Sequence, residues 1–129
     1  MKPVVIGTKG TAEATVDESR LAVTVGSGSL RVYATPMLCA LMEEAACKAI
    51  EAYLEDGETT VGTSLELRHT SATPEGMSVK AEAEIIEVSG REITYSITAY
   101  DAKGEIGSCT HKRVQVGIER FMQKVSTKA

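Results

Sequence analysis

The chain has no tryptophan and only five aromatic residues: Tyr33, Tyr53, Tyr95, Tyr100 and Phe121. A surface that stacks nucleobases needs several rings on one face, so a single-stranded nucleic-acid binder is a poor fit. Basic residues are not in excess either. Fourteen Lys and Arg against eighteen Asp and Glu give a net charge of −4, whereas nucleic-acid binders carry a basic stripe. Long hydrophobic runs are missing. The longest, Met37 to Met42, falls far short of a membrane span, and Met1 to Gly7 has no apolar stretch of signal-peptide length. Cysteine is scarce, at three, with no C-x-x-C spacing, and the two histidines, His69 and His111, stand 42 positions apart. No metal-ligand pattern results. These absences predict no nucleic-acid partner, no membrane, no metal and no cofactor. They predict a cytoplasmic protein whose cysteines stay reduced as small buried hydrophobes.

What is present is ordinary for a globular chain. Apolar residues make up 43% and charged residues 25% of 129 positions, enough for one core in one domain spanning 1–129. Thr11–Val16 alternates and reads as a strand, and Leu21–Val25 reads as a second candidate. Gly26-Ser27-Gly28-Ser29 then breaks the pattern as a mobile loop. Its G-x-G lacks the strand, third glycine and lysine of a phosphate loop and reads as a turn.

Thr35-Pro36 carries a helix start signal, a hydroxyl residue at the N-cap followed by proline at N1. Met37–Leu54 is rich in Ala, Leu, Met and Glu, and Glu55-Asp56-Gly57 supplies a stop. The period then changes to two. Val61, Thr63, Leu65, Leu67 and His69 fall on one face of a strand. Val79–Val88 follows, with a parity change at Ile86 that predicts a bulge. Then come Ile93 to Ala99 and a last strand from Ile106 to Val116. The tail, Gly117 to Lys128, reads as a short helix or a frayed end. A helix apolar around most of its circumference needs cover on several sides. The predicted fold is therefore α+β, with an antiparallel sheet wrapped around one long central helix.

Two titratable residues sit where apolar ones are expected. Glu44, Lys48, Glu51 and Glu55 form a solvent stripe on the helix, but Glu43 is offset from it among Cys39, Cys47 and Ile50. An amphipathic edge residue that snorkels out or pairs with a base, and a carboxylate at an interface, both fit this position. His69 shares the parity of Leu65 and Leu67 and should face the helix, either as a satisfied core histidine or as a site residue. Acids and imidazoles facing one another at an apolar contact are how general acids and bases are tuned. Thr35 adds a hydroxyl at the positive end of the helix dipole.

At these residues a family pattern emerges. Tyr33-Ala34-Thr35, Leu41-Met42-Glu43-x-Ala45, Val61-Gly62-Thr63 and Arg68-His69-Thr70-x-Ala72-Thr73-Pro74-x-Gly76 resemble the fluoroacetyl-CoA thioesterase family of hot-dog-fold proteins. Ile106-Gly107-Ser108-x-Thr110-His111-x-Arg113 resembles that family's last strand. The resemblance spans Tyr33 to Val116 and implies a Thr–Glu–His catalytic set at Thr35, Glu43 and His69. It implies substrate contacts at Gly62 and Arg113, an acyl-CoA substrate, and a homodimer with the substrate channel at the subunit interface. One departure lies upstream of the helix. The phenylalanine-bearing lid of the fluoroacetyl-specific member has no counterpart, because Leu21–Tyr33 contains no phenylalanine, and this counts against fluoroacetyl as the acyl group.

The implied chemistry is thioester hydrolysis. A thiolate leaves readily, so the protein must chiefly supply a nucleophile or base and stabilise an oxyanion. Glu43 fits the first role, His69 fits proton transfer, and Arg113 is expected to meet a phosphate or carbonyl of CoA unless it is an exposed strand cation. A non-catalytic acyl-CoA-binding module or ligand sensor ranks second, and a hydratase third.

Overall fold

The computed structural model describes residues 1–129. Strand β1 (Lys9–Thr15) is followed by a 3₁₀ turn at Glu18–Arg20 and a short helix α1 (Ala22–Val25). The long helix α2 covers Thr35–Ile50 and tightens into a 3₁₀ turn at Glu51–Tyr53. Strands β2 (Glu58–His69), β3 (Ser78–Ser89), β4 (Glu92–Asp101) and β5 (Gly104–Gly117) come next, and α3 (Ile118–Ser126) closes the chain. The five strands form one antiparallel sheet in the order β1-β3-β4-β5-β2. Helix α2 lies across it, mainly on β1 and β3. The expected sheet around one helix is the observed architecture.

Small residues let the helix sit this close. Ala45, Ala46 and Ala49 on α2 and Ala12, Ala81 and Ala83 on the sheet are all buried. At Gly10 even a methyl group is too much: a Cβ there would stand 2.3 Å from the Ala49 amide nitrogen and 2.5 Å from the Ala45 carbonyl oxygen. Glycine at that point therefore permits backbone-to-backbone contact between β1 and α2. Leu38, Met42, Ile50, Ile85, Ile93, Ile97 and Ile106 fill the remaining core.

Four readings of the sequence change. Leu21–Val25 is no strand: Ala22–Val25 forms one helical turn that ends at Gly26 in the left-handed region. The N-cap of α2 is Ala34, with extended backbone, so Thr35 is the first helical residue. A capping hydroxyl is thereby released for another partner. On β2 a bulge falls between Gly62 and Ser64, leaving Thr63 without a register partner on β5. It reverses the alternation, so Thr60 and Gly62 face inward before it and Leu65, Leu67 and His69 after it, while Val61 and Thr63 face out. Finally, only Cys109 is buried; Cys39 and Cys47 are half-exposed, and all three are free thiols. The bulge on β3 lies where predicted, with the register shifting between Ile85 and Glu87, and the tail is a helix.

Candidate active site

Two polar clusters flank the exposed side of α2. The first stands at the helix start. Thr35 Oγ1 lies 2.8 Å from His69 Nδ1, joining the first residue of α2 to the last of β2. Tyr33 places its ring edge-on to His69, with centroids 6.4 Å apart. The other imidazole nitrogen, Nε2, is buried and has no hydrogen-bond partner. Burial pulls the His69 pKa below its ordinary value, because desolvation penalises the charged ring. At neutral pH the ring is therefore uncharged and able to take a proton. A groove of about 370 Å³ opens here, lined by Ser27, Gly28, Leu30, Tyr33, Thr35 and His69 among others.

The second cluster is centred on Glu43. Its Oε2 accepts a hydrogen bond from Arg113 Nη1 at 2.9 Å. The carboxylate side chain is 44% exposed and the guanidinium only 8%, so this is an inward-facing cation holding an acid at the rim. Arg113 is in turn held by Thr60, through Nε to Oγ1 at 2.9 Å and Nη2 to the backbone carbonyl at 3.0 Å. Gly62 brings β2 against this pair. A Cβ at Gly62 would fall 2.8 Å from Glu43 Oε2 and 3.3 Å from Arg113 Nη1. Bulge and glycine together let the strand touch the carboxylate.

The five residues singled out from the sequence thus separate into two groups. Thr35 meets His69, and Glu43 meets Gly62 and Arg113. Thr35 and Glu43 are eight residues apart on one helix, about 12 Å along its axis. Glu43 is not opposite His69 as the stripe and parity arguments suggested; its partner is a cation. Arg113 is not an exposed strand residue, being 6% exposed, and four of its donor bonds run to groups of the protein itself. His111, Thr60 and Tyr95 complete the buried part of the cluster and were passed over in the sequence. The alternation of β5 was the available signal, since it buries Cys109, His111, Arg113 and Gln115 on one face. The structure holds no group of three or more His, Cys, Asp and Glu suited to a metal, and no helix is long and apolar enough to cross a membrane.

A curled antiparallel sheet wrapped around one long helix is the architecture of the hot-dog-fold thioesterases. Residues 16–119 match the family model described as FlK, fluoroacetyl-CoA-specific thioesterase, and the chain belongs to that family. A fluoroacetyl-CoA thioesterase of Streptantibioticus cattleyicolor is 42% identical over 97 residues, which are 75% of this chain and 70% of the relative. A solved structure of the fluoroacetyl-CoA thioesterase FlK superposes with a TM-score of 0.92 at 33% identity, covering 99% of both chains. A hypothetical protein of the thioesterase superfamily from Thermus thermophilus superposes with a TM-score of 0.90 at 26% identity, over 99% of this chain and 97% of that one. One further solved structure is a mutant of FlK in complex with acetyl-CoA, with a TM-score of 0.92 at 33% identity, covering 98% of this chain and 99% of that one.

Proposed function

We propose that the protein hydrolyses a short acyl-CoA to the free acid and CoA, with Glu43, His69 and Thr35 as its catalytic residues. The observation that carries this reading is the Glu43 carboxylate, fixed at the rim by buried Arg113 with its second oxygen free of protein partners. A carboxylate oriented by a cation and next to open space is the form a nucleophile or general base requires. It attacks the thioester carbonyl directly, giving a transient mixed anhydride, or draws a proton from the attacking water. In either case the C–S bond breaks and the thiolate departs; in the first route water then cleaves the anhydride, releasing the acid and restoring the Glu43 carboxylate. His69, uncharged at neutral pH, carries protons between water and the leaving sulfur. Thr35 holds the ring through Nδ1. The Gly62 backbone amide supplies the close approach that an oxyanion needs.

The separation of the two clusters favours a homodimer with composite sites. β2 is a twelve-residue strand at one edge of the sheet, paired only on its β5 side. A long open edge is a pairing template. If two β2 strands lie antiparallel over their full length, the His69 end of one protomer meets the Glu58 end of the other, the end that carries Thr60 and Gly62. Each thioester is then held between Glu43 of one copy and His69 of its partner. The free thiols suit a reducing compartment such as the cytoplasm.

The test is thiol release from a panel of short acyl-CoAs. Glu43→Ala and His69→Ala should each lower turnover by orders of magnitude while the protein stays folded. Mixing and exchanging the two inactive variants should restore about a quarter of wild-type activity, because each mixed dimer regains one intact site. No recovery would place both residues of a site in one chain. Tight acyl-CoA binding with no thiol release by the wild type would make the protein a binding module instead.

A further inference from the structure

His111 and Tyr95 are among the largest fully buried side chains, and the chemistry assigned to Glu43 uses neither. Their rings stack with centroids 5.9 Å apart and 27° between planes. Stacking fixes the plane of the imidazole, and two hydrogen bonds fix its rotation within that plane. Nδ1 lies 2.7 Å from the Ser64 carbonyl oxygen. A carbonyl only accepts, so Nδ1 bears the proton. Nε2 lies 3.2 Å from Arg113 Nη1, and a guanidinium only donates, so Nε2 presents its lone pair. One tautomer satisfies both bonds, and it is uncharged.

The same Arg113 nitrogen that His111 engages also donates to Glu43. Nη1 carries two protons. His111 accepts one, which leaves the second aimed at the carboxylate. Without that acceptor one proton of a buried charged nitrogen would be unsatisfied, and the guanidinium, hinged on its two bonds to Thr60, would tilt Nη1 toward another partner and away from Glu43. We propose that His111 is a positioning residue for Glu43, which holds Arg113 in the one orientation that fixes the carboxylate beside Gly62. The inference rests on Glu43 being the group that acts on the thioester. A histidine that merely fills the core would occupy the same volume with no bearing on turnover.

Two substitutions separate these roles. His111→Asn places an amide nitrogen near the Nδ1 position, where it can still donate to Ser64, but leaves nothing for Arg113. His111→Gln places a carbonyl oxygen near the Nε2 position, where it can accept from Arg113. The asparagine variant should lower kcat about 10- to 100-fold with KM within about twofold, and the glutamine variant should keep kcat within about threefold. The Arg113 Nε–H signal in ¹⁵N NMR should keep its shift and slow exchange in the glutamine variant and lose both in the asparagine variant. Wild-type kcat in His111→Asn, or equal loss of kcat in both variants, would overturn the proposal. If the wild type releases no thiol from any acyl-CoA, the assignment of Glu43 fails separately. The NMR comparison then decides alone whether His111 orients Arg113.

Discussion

Replacing Gly62 with alanine tests the site at its tightest point. The added methyl would stand 2.8 Å from Glu43 Oε2, and ordinary contact begins at 3.4 Å, so the carboxylate must retreat by about 0.6 Å. Arg113 and the His111 ring, at 3.3 and 3.4 Å from the same methyl, close off sideways escape. The side chain of Glu43 is 44% exposed, so it can swing outward at little cost to the fold. The swing stretches its bond to Arg113 and moves the carboxylate proposed to act on the thioester. A misplacement of this order lowers turnover about 10- to 100-fold, or about 1.4–2.7 kcal/mol on the barrier. The assay is kcat for thiol release alongside a thermal melt. A lowered kcat with a melting temperature within a few degrees of wild type is expected. Gly62→Ala at wild-type kcat would refute the reasoning, because the carboxylate's position would then be immaterial.

Gly10→Ala should act on stability instead, since its methyl would meet the α2 backbone at Ala45 and Ala49; overpacking of about 1–3 kcal/mol should lower the urea midpoint. Tyr95→Phe removes a buried hydroxyl that has no partner, so unfolding free energy should hold or rise by about 1 kcal/mol, and a clear loss would reveal a partner for that oxygen. Burial holds both imidazoles, His69 and His111, below the usual value of 6.5. The unfolded chain therefore takes up protons first as pH falls, and stability should decline from about pH 6.5 downward and stay level from there to about pH 7.5. Urea midpoints that do not change between pH 7.5 and 5.5 would contradict this.

Much of the fold was legible because its signals are local. The period-two runs of β3, β4 and β5 and the Ala- and Leu-rich stretch of α2 each follow from burial on one face. The bulge on β3 announced itself as a parity change at Ile86, where an exposed isoleucine breaks the alternation. The bulge on β2 gave no such notice, because Gly62, Thr63 and Ser64 have no apolar contrast to betray a slip. Leu21–Val25 alternates like a strand, yet four residues beside Gly26 close into a helical turn, and so short a run cannot be assigned by period. Glu43 was recognisable as misplaced, since a carboxylate off the polar stripe of a helix is visible at 100° per residue. Its partner was not. Arg113 lies 70 positions away, and only the pairing of β5 with β2 brings it to the helix. His69 and Thr35 both stand out in the sequence, but their bond depends on Thr35 being one position further into α2 than the Thr-Pro signal suggests.

The burial of Arg113 bears on how a substrate arrives. CoA esters are polyanions, and this chain carries a net charge of −4. A guanidinium turned inward and neutralised by Glu43 exerts little pull on a distant phosphate. Encounter with the acyl-CoA is then governed by diffusion and by the shape of the cleft rather than by long-range attraction from this residue, and modest changes in ionic strength should leave its contribution to the association rate unaltered.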